Sequence, residues 1–417
     1  MAIKVLEIEF TEEINPIRGL EKYERVRLLV RYRGRPLGWA YVNNNNPWQQ
    51  TISADRVRET IVEQMGKQLI RSSLEDQLAP ESADEDRELP PISVVICTRD
   101  RTDSLKGTME AILALDYPKC EIIVIDNAPS NSSTAELVAR LPVRYVREER
   151  QGLNWARNRA IAEASHEIIA FTDDDMRPDP GWLRGIAAGF ADPEIMAVSG
   201  LVVPAELETE AQIQFEFGYG GMLQYFHRFK VDGSQLSAQE LLWAKSYGVG
   251  ANMAFRVKVF EAVGNFDPAL DVGTATRGAG DMEMFHRILA KGYATFYEPR
   301  AFVWNVHRRS ADALSRQLRD NGQAFGAYLL TCARNGTVSS GEIWQFAVSQ
   351  WLKGSLLRRL IRPGWFPRKL VVSELLGALQ SPFAYREAQL QAQRLVAMAD
   401  VEEQPQPEPL TVTGGAG

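Results

Sequence analysis

Three adjacent aspartates, Asp173, Asp174 and Asp175, close the segment EIIAFTDDD and are followed shortly by Pro178. Neighbouring carboxylates repel one another, which is costly unless solvent or a cation screens them. A hard divalent ion, Mn2+ or Mg2+, suits the arrangement: one or two carboxylates, several waters and the oxygens of a bound diphosphate. A solvated acidic loop with helix-capping roles is the plainer alternative. Position favours the metal, because the run sits directly after a strand at the edge where α/β sheets collect ligands. Asp126 ends a second apolar run, EIIVIDN, where a carboxylate can accept a hydrogen bond from a base N–H or a ribose hydroxyl. An Asx turn with Asn127 and Pro129 would explain it equally well. Arg157 and Arg159 in GLNWARNRAIAEA follow a glycine at a helix start; they can contact phosphate or sit on a solvated face.

The elements that would position these side chains are legible. ISVVICT (92–98) is a near-continuous apolar run, as expected of a parallel strand buried on both faces. Helical patterns at 104–115, 134–140 and 154–164 alternate with apolar strands at 121–127, 143–146 and 167–175, which predicts a doubly wound, mainly parallel sheet. Thr98, Asp126 and Asp173 to Asp175 all fall at the carboxyl ends of these strands. Before this unit, residues 1–78 read as a small α+β module. It holds an alternating strand, two strands around a turn at Arg33-Gly34-Arg35-Pro36, and a helix with Val57, Ile61, Met65 and Leu69 on one stripe. The stretch 79–91, APESADEDRELPP, reads as a solvated linker. From 311 to 400 the pattern turns helical, and 401–417, rich in proline and glycine, reads as a disordered tail.

The chain has 417 residues and a formal net charge of −7, with 45% hydrophobic and 24% charged residues. That composition excludes a wholly disordered chain, and the acidic balance argues against a nucleic-acid partner. No run reaches the ~20 apolar residues of a spanning helix, and the acidic, alternating first residues are no signal peptide. Three scattered cysteines form neither a disulfide framework nor a zinc site, so a cytoplasmic setting is expected. Residues 350–372 hold six basic residues and no acid, interleaved with Trp351, Leu352, Leu356, Leu357, Leu360, Trp365 and Phe366. This composition suits a peripheral contact with the inner face of a membrane; packing on the preceding domain, with the charges solvated, is the competing reading.

Taken together, residues 91 to 310 resemble the family 2 glycosyltransferases. ISVVICTRDR resembles that family's first strand, and EIIVIDNAPSN its second. GLNWARNRAIAEASHEIIAFTDDDM is similar to the Gly-…-Ala-Arg-Asn helix that leads into an Asp-x-Asp metal motif. GANMAFRVKVFEAVGNFDPAL and GDMEMFHRILAKGY resemble the segments that line the sugar and carry the catalytic base. The resemblance implies a GT-A fold, α/β and doubly wound, spanning 92–310 between the N-terminal module and a helical C-terminal extension. It assigns Thr98, Arg99, Asp126, Arg157, Asp173 and Asp174 to the nucleotide sugar, with uridine as the expected nucleotide. Gly250, Ala251, Asn252 and Glu283 would belong to the acceptor or donor-sugar region. Asp175 and Asp173 would hold the metal, with His307 as a further ligand or else a histidine packed beside Trp304. Asp281 would be the general base, a role compatible with capping its helix.

Two positions depart from the family pattern: Arg99 replaces an aromatic residue, and Gly280 replaces the glutamate before the base. The implied reaction is inverting, metal-dependent transfer of a sugar from a nucleoside diphosphate to a hydroxyl of a glycan, a lipid-linked acceptor or a small molecule. Polysaccharide or glycolipid synthesis is the expected setting. A catalytically silent nucleotide-sugar-binding or scaffold protein of the same fold is the alternative. ICTRDRTDSLKG has no glycine-rich phosphate loop, which argues against a nucleotidyltransferase or a dinucleotide oxidoreductase.

Overall fold

The structure, a computed structural model, describes residues 2–44, 51–78, 89–361 and 366–402. The N-terminal strands are β1 (Ile3–Glu9), β2 (Ile17–Arg18), β3 (Arg25–Tyr32), β4 (Arg35–Asn43) and β5 (Thr51–Ile52). β3 pairs with β1 in parallel and with β4 antiparallel. The β3–β4 turn places Arg33 and Gly34 at positive φ, a tight connection that glycine permits. Helix Ala54–Leu78 buries Val57, Ile61, Met65 and Leu69, the stripe expected from their spacing. The module docks on the next unit through Leu29 and Trp39, which join Leu201, Val203, Tyr297 and Phe302. Two ion pairs cross the same boundary, Arg27–Glu216 at 2.6 Å and Arg31–Asp179 at 2.9 Å.

The central unit is a nine-stranded sheet. Its strands are β6 (Ile92–Thr98), β7 (Cys120–Asn127), β8 (Arg144–Glu148), β9 (Ile168–Asp173), β10 (Met176–Pro178), β11 (Ile195–Pro204), β12 (Phe229–Asp232), β13 (Asn252–Arg256) and β14 (Ala294–Asn305). The order is β10-β14-β11-β13-β9-β6-β7-β8, with β12 beside β14. β9, β6, β7 and β8 are mutually parallel, as are β11 and β14. β13 runs antiparallel to both β9 and β11, so the sheet is mixed where the two parallel groups meet. Helices Thr102–Leu113, Ser133–Val138 and Leu153–Glu163 connect the strands of the first group.

The chain then becomes helical: Ala311–Asn335, a continuous stretch from Ser340 to Ile361, and Arg368–Glu402. Helices Ala311–Asn335 and Arg368–Glu402 approach closely at glycines. A Cβ on Gly322 would fall 1.9 Å from the carbonyl oxygen of Glu374, and one on Gly377 1.9 Å from that of Arg319. Most of the expected linker (79–88) and most of the expected tail (403–417) lie outside the described residues; 401–402 are helical. Among the described residues, no helix is long and apolar enough to cross a membrane.

Candidate active site

The register of β6 brings the strand ends together. Thr98 lies opposite Asp126 on β7, and Cys97 opposite Asp173 on β9. Asp126 is fully buried and its Oδ2 accepts the Tyr145 hydroxyl at 2.9 Å. Among the described residues its Oδ1 has no hydrogen-bond partner. Burial pushes this carboxyl above its ordinary pKa, as expected of an acceptor left without a donor. The neighbouring Asn127 holds the next turn, donating to the Arg150 carbonyl at 2.7 Å and accepting the Gly152 N–H at 2.9 Å. Arg99 sits at the mouth, half exposed, donating to the Ala128 carbonyl at 3.3 Å.

The three adjacent aspartates diverge. Asp174 turns inward, accepting from the Thr98 hydroxyl at 2.7 Å, and Arg101 bridges Asp174 (2.5 Å) to Asp175 (2.7 Å). Burial, offset by Arg101 and Thr98, leaves Asp174 raised to about 6. Asp173 is raised to about 7 by burial and by Asp175, against the pull of Arg157. Such an excess of carboxylates fits a hard cation that takes few protein ligands and completes its shell from diphosphate and water. Among the described residues no group of three or more His, Cys, Asp or Glu side chains is arranged to hold a metal by itself. His307 does not join the aspartates: Nε2 faces Glu216 Oε2 at 3.0 Å and Nδ1 faces Asn305 Nδ2 at 3.1 Å. Glu216 also pairs with Arg27, so this histidine belongs to the seam with the N-terminal module.

Behind the acidic edge lies a buried cation. Arg157, on helix Leu153–Glu163, donates to Asp271 Oδ2 at 2.5 Å and Asn154 Oδ1 at 3.1 Å. Burial works against its charge, but Asp271, Asp173 and Asp281 around it hold its pKa above the ordinary value. Asp281 opens helix Gly280–Ala290; its Oδ2 accepts the Gly250 N–H at 2.5 Å and its Oδ1 the Met282 N–H at 2.8 Å. Burial and the neighbouring Asp271 raise its pKa, against Arg157 and these two N–H groups. The geometry explains Gly280: a Cβ there would sit 2.3 Å from Asn154 Nδ2 and 2.5 Å from Asp271 Oδ2. The carboxylate of Asp271 fills the space beside position 280.

Other expected ligand residues are used differently. Asn252 is saturated in the core, accepting from Trp182 Nε1 and donating to the carbonyls of Leu201 and Ala301. Ala251 is buried with it, and of the three only Gly250 touches Asp281. Glu283 turns to Arg287 at 2.7 Å, one helical turn on. Asp281 instead borders a half-open cavity of about 430 Å³ that the C-terminal helices wall on one side. Tyr219, Phe325 and Trp351 give it aromatic walls; Lys245, Arg359 and Glu374 give it charge. Arg359 and Glu374 pair at 2.7 Å. Lys245 is accessible from the cavity yet ringed by protein, its ammonium 4.3 Å from the centre of the Trp243 ring. The loss of water lowers it to about 8, although Glu374 favours the charge.

Residues 93–264, bearing most of these strands, match the family model described as Glycosyl transferase family 2. That segment is a family 2 glycosyltransferase domain. Its sheet and flanking helices are a GT-A α/β fold. Among similar proteins are a Haloferax volcanii glycosyltransferase, AglE, 25% identical over 55% of this chain and 72% of its own length. A glucosyl-dolichyl phosphate glucuronosyltransferase of the same organism is 24% identical over 42% and 56%. A poly-beta-1,6-N-acetyl-D-glucosamine synthase of Staphylococcus aureus is 25% identical over 55% and 53%. The chain thus spans about half the length of the last two. A solved mannosyltransferase from Pyrobaculum calidifontis, in complex with GDP-Man and Mn2+, aligns over 83% of this chain and 90% of its own, with a TM-score of 0.45 and 18% identity.

Around this glycosyltransferase domain, sequence reasoning passed over Asp271, Lys245 and Glu374, and quoted Arg101 only inside a motif. Asp271 offered one signal, an acid in the loop DPALDVG ahead of the unexpected Gly280. Lys245 and Glu374 lie far apart in the chain and meet only through the helical packing.

Proposed function

We propose that this glycosyltransferase moves a sugar from a nucleoside-diphosphate donor to a hydroxyl acceptor in one inverting displacement, with Asp281 as the general base. The observation that carries the reading is the position of Asp281. It borders the cavity on one side and, through Arg157, shares a charge cluster with Asp173 at the acidic strand edge on the other. The donor nucleotide would lie over the ends of β6 and β7. The free Oδ1 of Asp126 would accept the ring N–H of uracil, and guanine presents the same kind of group.

The acceptor would enter the cavity along Tyr219, Phe325 and Trp351, surfaces on which a sugar or other ring can lie. Asp281 would take the proton of its hydroxyl as that oxygen attacks the anomeric carbon. The N–H groups of Gly250 and Met282 orient the carboxylate, while burial and Asp271 keep its proton affinity above that of an ordinary aspartate. Asp173 and Asp175 would hold a divalent ion. When bound, that ion would supply Lewis-acid neutralisation of the leaving diphosphate. Synthesis of a polysaccharide or glycolipid is the setting we favour, supported by the kinds of product named for similar proteins.

The test is release of nucleoside diphosphate from a panel of UDP-, GDP- and other nucleotide sugars, with Mn2+, Mg2+ or EDTA. Metal-dependent release from one donor is expected. Binding of no donor under any condition would overturn the reading in favour of a silent scaffold, and a product of retained anomeric configuration would overturn the single displacement.

A further inference from the structure

The basic and apolar segment 350–372 is divided between core and surface, with Leu352, Leu357 and Ile361 exposed. Leu356, Phe366, Leu370 and Val371 form a buried cluster with Leu314, Leu318 and Phe215. Arg359 is consumed by Glu374. Residues 362–365, including Trp365, lie outside the described residues.

A longer exposed apolar stripe runs along the helix that follows. On helix Arg368–Glu402, Glu374, Gly377, Ser381, Ala384, Tyr385 and Ala388 face inward. Val372, Leu376, Leu379, Phe383 and Leu390 are exposed, Leu379 and Phe383 to 65% and 80%. Their spacings of four, three, four and seven residues put all five on one stripe at about 100° per residue, over roughly 27 Å of helix. Arg368, Lys369, Arg386 and Arg394 flank this stripe and are exposed. None of the four makes an ion pair among the described residues, and Glu387 is the one acid on that arc. A contiguous apolar stripe rimmed by unpaired cations asks for a partner.

We propose that the outer face of helix Arg368–Glu402 docks on an anionic bilayer surface, with Leu379 and Phe383 among the acyl chains and the four basic residues at the headgroups. The charge pattern selects this occupant. Four cations against one acid would repel across a pairing of two identical helices, whereas an anionic leaflet attracts each of them. Glu374, on the opposite face of the same helix, lines the cavity. Docking would therefore bring that cavity to within about one helix diameter, ~10 Å, of the lipid.

The full chain would be floated with vesicles of phosphatidylcholine containing about a third phosphatidylglycerol, and with pure phosphatidylcholine, at low and high salt. Salt-sensitive binding to the anionic vesicles is expected, and Leu379→Ser with Phe383→Ser should weaken it at least about tenfold. Both side chains are exposed, so the thermal midpoint and donor turnover of that variant should match the parent. Equal binding by parent and variant, or no binding to anionic vesicles, would overturn the proposal. So would a dimer in light scattering that Phe383→Ser dissolves, which would give the face to a second copy.

Discussion

Replacing Asp271 with asparagine tests the charge cluster that surrounds the reacting carboxylate. Both oxygens of Asp271 accept hydrogen bonds, Oδ1 from the Val272 N–H at 2.8 Å and Oδ2 from Arg157 at 2.5 Å. A carboxamide has one acceptor oxygen, so whichever way the new side chain turned, its NH2 would face a donor. Arg157 would lose its closest counter-charge while remaining buried. Breaking a buried pair on one side costs about 3–5 kcal/mol. Asp173 and Asp281 still surround Arg157, which argues for the lower end, about 3 kcal/mol. At a urea dependence of about 3 kcal/mol per molar, that shifts the denaturation midpoint down by about 1 M, read by tryptophan fluorescence. The same substitution acts on catalysis with a definite sign. Asp271 raises the pKa of Asp281 and Arg157 lowers it, so removing the first and keeping the second lets Asp281 deprotonate at lower pH. A general base works deprotonated, so the acid limb of kcat/KM for nucleotide-sugar turnover should move to lower pH. An unchanged urea midpoint together with an unmoved acid limb would refute the claim that Asp271 holds this cluster.

Other outcomes follow from the same site. Asp281→Asn should retain donor binding by calorimetry and lose about 10²–10⁴-fold in turnover, the usual worth of a general base. Asp126→Ala should weaken UDP binding by about 1–3 kcal/mol, the price of a lost hydrogen bond to a buried charged acceptor, while a change in turnover alone would place the nucleotide elsewhere.

The strands that build the site were legible because burial on both faces leaves a run of apolar residues with no alternation. ISVVICT and EIIVIDN could hardly be read otherwise, and both are central parallel strands. The carboxyl ends of these two strands carry Thr98 and Asp126, and that of β9 carries Asp173. The N-terminal helix was equally plain, since Val57, Ile61, Met65 and Leu69 recur at the helical period and all are buried. These signals are local, set by how a strand or helix presents side chains to a core.

Residue use within the site was less legible, because a polar side chain carries no mark of which way it faces. Asn252 has the composition of a ligand contact, but β13 inserts between β9 and β11, and at its first residue the amide closes three hydrogen bonds inside the sheet. Glu283 follows Asp281 by two positions, which turns it about 200° around the helix and away from it; Arg287 meets it there. Gly280 illustrates the opposite case. Read alone, it is a missing acid; in the fold, its absent side chain leaves the space that Asp271 and Asn154 fill, contributed by two other segments. A carboxylate beside the candidate base is thus present without a glutamate at position 280. Only a contact between distant parts of the chain could reveal it, and the acid limb of the Asp271→Asn profile reads that contact directly.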